Sequence, residues 1–294
     1  MATTIATATA DLRAQNLFRF DHQVALITGG ASGLGEMAAQ AFVQNGAKVF
    51  IASRKESELQ SVAQRLNALG PGTCEYIVAD LKDKAGCERL GAEVKKRTDV
   101  LTVLINNSGA TWGAPADDFP EHGWDKIMAL NVKAIFYLTV ELVPLLEKSA
   151  AKDLPSRVIN IASVAGLMTS DPTVTEEGGL SVVGHGAYSY GPSKAACIHL
   201  SRQQASQYAP RNILVNCICP GLFPSRMSSF GIQKSLDFFL SSQPTGKIGT
   251  PEDFAGLVLY LCSRGSGHVT GNVIEIDGGS MRSGWRLKAK RSKI

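Results

Sequence analysis

The sequence predicts an α/β fold, a parallel sheet covered by helices on both sides. Three observations carry this. From residue 21 onward, short β-branched apolar runs alternate with longer amphipathic stretches. The strand-like runs are apolar on both faces, as strands between two helix layers must be. The first of them leads at once into a glycine-rich turn and a helical stretch, "ALITGGASGLGEMAAQAF".

In chain order the expected strands are "VALIT" (24–28), "KVFIAS" (48–53), "CEYIVAD" (74–80), "VLTVLINNSG" (100–109), "RVINIAS" (157–163), "ILVNCICPG" (213–221) and "VIEIDGG" (273–279). Expected helices between them include 34–46, 56–69, 84–97 and 251–263. The last opens on Pro251, with Glu252 and Asp253 at the positive end of its dipole. A helix over 188–209 would place Tyr190 and Lys194 on one face. The alternation implies right-handed crossovers. Seven strands without a linker-like break imply one domain over 21–281, with a flexible arm (1–20) before it and a basic tail (282–294) after it. Two segments, about 164–187 and 222–249, fit no element and read as functional loops.

Composition narrows the function. The 294 residues are 44% hydrophobic and 19% charged, an ordinary globular balance. A net charge of +4 is too mild for a nucleic-acid partner. Six scattered cysteines read as reduced core thiols, and the C-x-C of Cys217 and Cys219 is not a usual zinc pair. No uninterrupted apolar run approaches the ~18 residues of a membrane span, and the N-terminus lacks a secretory pattern. The expected compartment is the cytoplasm. The closing "SKI" is similar to the peroxisomal Ser-Lys-Leu address, which makes the peroxisome the alternative.

The glycine turn carries the first chemical signal. Gly29, Gly33 and Gly35 let the backbone turn sharply and approach a ligand closely. The helix start beyond them offers free N–H groups and a positive dipole end to a pyrophosphate. The second strand ends on Ser53, followed by Arg54. Folds that bind the unphosphorylated dinucleotide place an acid there, against the ribose 2′-OH. A guanidinium instead pairs with a 2′-phosphate, which favours NADPH/NADP+. The second signal is "AYSYGPSK", in which Tyr190 and Lys194 form an i, i+4 pair and Tyr188 does not. An ammonium favours the phenolate of a neighbouring phenol. A phenol so placed can give a proton to a developing alkoxide, or take one from an alcohol.

With these motifs the chain resembles the short-chain dehydrogenase/reductase family over about 21–281. The likeness rests on "TGGASGLG", "NNSG" (106–109), "LNV" (130–132), "INIASVAG" (159–166), "YGPSK" (190–194) and "NCICPG" (216–221), in family order. It implies a Rossmann doubly wound seven-stranded sheet of order 3-2-1-4-5-6-7, assembled as a homotetramer or homodimer. It implies Tyr190 as acid/base and Lys194 as the ribose-binding cation. Ser163 would hydrogen-bond the substrate oxygen, and Asn131 would support a water-linked proton relay. For the cofactor it implies Gly29, Ser32, Gly33, Leu34, Gly35, Ser53 and Arg54, with Asp80 and Leu81 by the adenine. Asn107 and Gly109 would form the floor, and Pro220, Gly221, Phe223 and Ser225 the nicotinamide end. Trp112, Val164, Tyr188 and Met227 would face the substrate.

The chain departs from the family in places. Ser32 stands where members that prefer NADP(H) often carry a basic residue, and Ser225 replaces a threonine. Tyr190 follows Ser163 by 27 positions, a wider gap than most members have. The extra residues, roughly "MTSDPTVTEEGGLSVVGHG", are expected to shape the pocket edge, with His185 as a loop residue. Within the family the chain most resembles the 3-oxoacyl-(acyl-carrier-protein) reductases of the rhamnolipid type, on "SGATWGAP" (108–115), "GLFPSRM" (221–227) and "TGNVIEIDGG" (270–279). The implied activity is NADPH-dependent reduction of a small-molecule ketone. That ketone is a 3-oxoacyl thioester of coenzyme A or acyl carrier protein, or a related β-keto compound. The alternatives are a dehydrogenase oxidising a sugar alcohol or steroid, and a non-catalytic nucleotide-binding protein.

Overall fold

The computed structural model describes residues 11–169, 184–226 and 228–282. The first ten residues, most of the long stretch after Ser163, Met227 and the tail ending in Ser-Lys-Ile lie outside the described residues. In chain order the elements are α1 (Ala14–Leu17), β1 (Val24–Thr28), α2 (Gly33–Gln44), β2 (Lys48–Ser53), α3 (Glu56–Asn67), β3 (Thr73–Val78), α4 (Lys84–Arg97) and β4 (Val103–Asn106). Then come α5 (Glu121–Met128), a π-helical turn (Ala129–Lys133), α6 (Ala134–Ser149), β5 (Ser156–Ile161), α7 (Tyr190–Tyr208), β6 (Ile213–Pro220), α8 (Ser229–Ser242), α9 (Pro251–Cys262) and β7 (Val273–Ile276).

The seven strands form one sheet of order β3-β2-β1-β4-β5-β6-β7, and every pairing is parallel. The chain starts in the middle and winds outward in both directions. At β1 and β4 the connections therefore leave to opposite sides, and a crevice opens beyond the strand ends. Helices α2, α3 and α9 cover one face through Phe42, Leu66 and Phe254. Helices α4, α6 and α7 cover the other through Leu90, Leu142 and Tyr208. The inner strands β4, β5 and β6 are buried along their whole length, whereas the edge strands β3 and β7 are partly exposed. Apolar patterning on both faces thus holds for the inner strands and relaxes at the rims.

Helix α9 begins as its sequence requires. Thr250 Oγ1 accepts from Asp253 N at 3.3 Å, and Asp253 Oδ2 accepts from Thr250 N at 3.0 Å, a reciprocal cap with Pro251 in the first turn. Elsewhere the structure corrects the sequence reading. Strands β3, β4, β5 and β7 end two or three residues before their apolar runs do, because those residues leave the ladder to line the crevice. Helix α7 starts at Tyr190, which leaves Tyr188 in the preceding loop. The segment 222–249 is not all loop: α8 occupies its middle, with Ile232, Leu236 and Phe239 recurring at helical spacing between Pro224 and Pro244. The run Glu121–Ser149 is long and apolar enough to cross a membrane, and half of its most apolar window is buried in the fold.

A buried polar chain ties the sheet to the site-bearing helix. Asn106 Nδ2 donates to Thr139 Oγ1 at 3.1 Å and to Asn160 Oδ1 at 2.8 Å. Asn160 Nδ2 donates to Ser201 Oγ at 2.9 Å and Gln204 Oε1 at 3.0 Å. These bonds join β4, β5, α6 and α7. Replacing Asn160 would strand buried donors and acceptors, so Asn160→Ala is expected to cost about 1–3 kcal/mol. The check is a lower urea midpoint at unchanged slope.

Candidate active site

Strand β1 delivers Thr28 to the crevice, where its hydroxyl fixes the floor. Thr28 Oγ1 accepts from the backbone N–H of Asn107 and of Ser108, each at 3.0 Å. The Asn107 amide donates back to Thr28 O at 3.0 Å. The glycine loop follows. Gly33 takes a φ of +56°, in the left-handed region. A Cβ on Gly35 would collide with the Asn107 amide and the Gly29 carbonyl. Ser32 sits at the N-cap of α2 with extended backbone, and its hydroxyl makes no capping bond. The first N–H groups of α2 thus face the crevice end without a side-chain cap. A Cβ on Gly33 would lie 3.2 Å from Ser225 Cβ, so the loop after β6 rests on the glycine loop.

Ser53 closes β2, and the exposed Arg54 follows it. Among the described residues no carboxylate pairs with Arg54. Asp80 Oδ1 accepts from Lys82 N at 3.2 Å and so closes its own turn. Leu34 packs partly buried against the α2 side of the core. Leu81 is 6% exposed, and its side chain belongs to the opposite core cluster.

The residues expected to be catalytic gather where β4, β5 and α7 meet. Lys194 is buried, and its Nζ donates to Ile161 O at 2.9 Å, at the end of β5. One turn earlier on α7, the Tyr190 ring centroid lies 5.6 Å from Lys194 Nζ. The bare backbone of Gly109 makes room: a Cβ there would be 3.4 Å from both Lys194 Nζ and Asn131 Oδ1. Asn131 is fully buried in the π-helical turn. Its Oδ1 accepts from Ala110 N at 2.9 Å, and its Nδ2 donates to Ala110 O and Ser193 Oγ, both at 3.0 Å. Ser163 caps the 3₁₀ turn Val164–Gly166, where its Oγ accepts from Ala165 N at 3.1 Å.

The residues expected to face cofactor and substrate separate into two groups. Pro220 closes β6, and Gly221 N donates to Ile276 O at 3.0 Å. Ser225 Oγ lies 2.9 Å from Ser228 Oγ. Trp112 stands edge-on to His122 at 5.0 Å, with Lys126 Nζ 5.1 Å from its ring centroid. Tyr188 stands edge-on to Phe119 at 5.9 Å. Val164 packs partly buried beside the Cys197 cluster. Phe223 is the exception. Its side chain is 4% exposed and turned into the core against Phe254, because Gly249 lies under its ring and leaves it room.

Three contributors escaped the sequence reading. Thr28 had one signal, a hydroxyl ending an apolar strand just before the glycines. Phe119 had none. The antiparallel bridge Ala114–Gly186 also had none; it pins the far end of the long segment before Tyr190. The six cysteines are buried and free. Burial pushes the Cys74 and Cys262 thiols up to about 12, so neither is a nucleophile at neutral pH.

The family model described as enoyl-(acyl carrier protein) reductase matches residues 29–281. The chain is 41% identical over 264 residues to a rhamnolipids biosynthesis 3-oxoacyl-[acyl-carrier-protein] reductase of Pseudomonas aeruginosa, covering 89% of this chain and 97% of that protein. It is 31% identical to a 3-oxoacyl-[acyl-carrier-protein] reductase of Thermotoga maritima, covering 89% and 98%. Among solved structures, the Pseudomonas aeruginosa RhlG/NADP active-site complex matches with a TM-score of 0.81 at 40% identity, covering 90% of this chain and 98% of that one.

One ion pair spans the site. Arg226 bonds Glu58 through both terminal nitrogens, and Lys55 donates to the same carboxylate. Arg226 first, then Lys55, holds the Glu58 carboxyl from its ordinary 4.5 down to about 2. A depressed carboxylate stabilises the fold above its unfolded value and loses that effect as pH falls toward the folded one. The difference in thermal midpoint between wild type and Glu58→Gln is therefore expected to be level above pH 4.5 and to shrink toward pH 2. A difference unchanged down to pH 2 would contradict the pairing.

Proposed function

The chain belongs to the short-chain dehydrogenase/reductase family, and from that premise we propose that it reduces the ketone of a 3-oxoacyl thioester with NADPH. The observation that carries this reading is the meeting of Tyr190, Lys194 and Asn131 around the bare Gly109. The residues present fit a phosphorylated dinucleotide. Gly33 takes a left-handed φ at the start of α2, Ser32 leaves that start uncapped, and among the described residues Arg54 holds no carboxylate. When bound, NADPH supplies the hydride.

In this reading Gly29, Ser32, Gly33, Leu34 and Gly35 hold the pyrophosphate, and Ser53 and Arg54 the 2′-phosphate. Asp80 and the backbone of Leu81 meet the adenine. Asn107, Gly109, Pro220, Gly221, Ser225 and the backbone of Phe223 hold the nicotinamide half. The Tyr190 hydroxyl donates its proton to the developing alkoxide. Lys194 has three donors and gives one to Ile161, which leaves two for the nicotinamide ribose. Its charge offsets the negative charge left on the Tyr190 oxygen. Ser163 already accepts from Ala165, so its own hydrogen is free to donate to the substrate oxygen. The side chain of Asn131 is fully engaged, so the proposed relay draws on its main-chain carbonyl in the π turn.

The substrate class is inferred from the relatives' activity and from the pocket mouth. In this reading Trp112, Tyr188 and Val164 form that mouth, and their aromatic and aliphatic character suits an acyl chain. Assembly as a homodimer or homotetramer belongs to the same proposal. Phe136 and Val140 of α6 are 41% and 45% exposed and offer an apolar face for it.

Tyr190→Phe is expected to retain NADP+ binding and to lose at least about 100-fold in turnover, the lower range of general acid catalysis. Tyr188→Phe should stay near wild type; the reverse ranking would reassign the proton donor. NADPH oxidation against a panel of 3-oxoacyl-CoA, its acyl-carrier-linked analogue, and cyclic and aromatic ketones tests the substrate. Turnover confined to the bulky ketones would overturn the thioester reading.

A further inference from the structure

We propose that Arg226 is a second cation for the cofactor's 2′-phosphate, held in reserve on Glu58 until the phosphate is present. The inference rests on the NADPH reading above. Arg226 belongs to the loop after β6, 168 residues from Glu58, yet its Nη1 and Nη2 reach the two Glu58 oxygens at 2.8 and 2.7 Å. Lys55 Nζ shares that carboxylate at 2.9 Å.

The place matters as much as the pair. Glu58 stands in the first turn of α3, four residues after Arg54. Glu36, in the first turn of α2, lies close enough to act on the Arg226 charge. The neighbouring Ser225 packs on Gly33. The Arg226 guanidinium therefore stands between the N-terminal turns of α2 and α3, beside the end of β2. That is where the ribose 2′ position of a dinucleotide on this glycine loop comes to lie.

Charge then decides what Arg226 does there. A phosphate monoester carries between about −1.5 and −2 at neutral pH. Ser32 contributes no charge from the glycine loop, and Lys55, like Arg226, is engaged with Glu58, so among the described residues Arg54 is the cation here that no carboxylate holds. An exposed ion pair is worth little in net terms, because solvent screens it, and the Arg226 side chain is 59% exposed. Moving the guanidinium from a monoanionic carboxylate to a bidentate grip on a near-dianion is favourable. Glu58 serves as holder and competitor. Without the 2′-phosphate, Arg226 stays on Glu58 and the loop stays fastened.

The test measures NADP+ and NAD+ affinities of the full-length protein by calorimetry. Arg226→Gln is expected to weaken NADP+ about 10-fold, the value of one charge-assisted hydrogen bond, and to leave NAD+ unchanged. Glu58→Gln is expected to tighten NADP+ and leave NAD+ unchanged. Equal weakening of both dinucleotides by Arg226→Gln would overturn the inference and make Arg226 a loop fastener only. So would unchanged NADP+ affinity in that variant, or a Glu58→Gln variant that binds NADP+ no better than wild type. If instead wild type shows no preference for NADP+, and Arg54→Ala changes nothing, it is the cofactor reading that fails.

Discussion

The site depends on keeping one ammonium dry. Among the described residues no carboxylate pairs with Lys194, so its charge is answered by fixed dipoles, and its ammonium donates to the carbonyl of Ile161. That bond ties α7 to the end of β5, two residues before Ser163. The backbone of Gly109 lies alongside, where a Cβ would be in van der Waals reach of the ammonium at 3.4 Å. Asn131 faces the same point from a different helix, locked by three hydrogen bonds. Strand, helix and π turn are thereby fixed relative to one another around a single charge.

The dinucleotide side follows a different logic, with surfaces held apart rather than packed. Glycine, an uncapped helix start and an arginine that pairs with no carboxylate among the described residues stand together there. The loop after β6 reaches across to it, resting Ser225 on Gly33. Rigid support lies below it: Gly249 under Phe223, and Phe223 against Phe254.

Much of this was legible in the sequence, for a physical reason. Inner strands are apolar on both faces because both faces are covered, so β1, β4, β5 and β6 announce themselves. The Tyr190–Lys194 pair is local, fixed by helical spacing. The failures concern contacts made at long range. Phe223 reads as a residue of the nicotinamide end, and Gly249, 26 positions later, makes the slot that takes its ring into the core. Helix α8 sits among prolines and serines that mask its spacing. Phe119 acquires meaning only through Tyr188, and Arg226 only through Glu58. None of these pairings leaves a trace in local pattern.

The bridge between Ala114 and Gly186 carries an evolutionary consequence. The segment that separates Ser163 from Tyr190 is anchored at both ends, by the 3₁₀ cap at one and the bridge at the other. Lengthening a loop between fixed ends adds only about 0.6 kcal/mol of closure entropy for each doubling. Insertions there can accumulate almost without thermodynamic consequence and without moving Ser163 or Tyr190. The architecture thus leaves the length of that segment free to vary while Ser163 and Tyr190 keep their places.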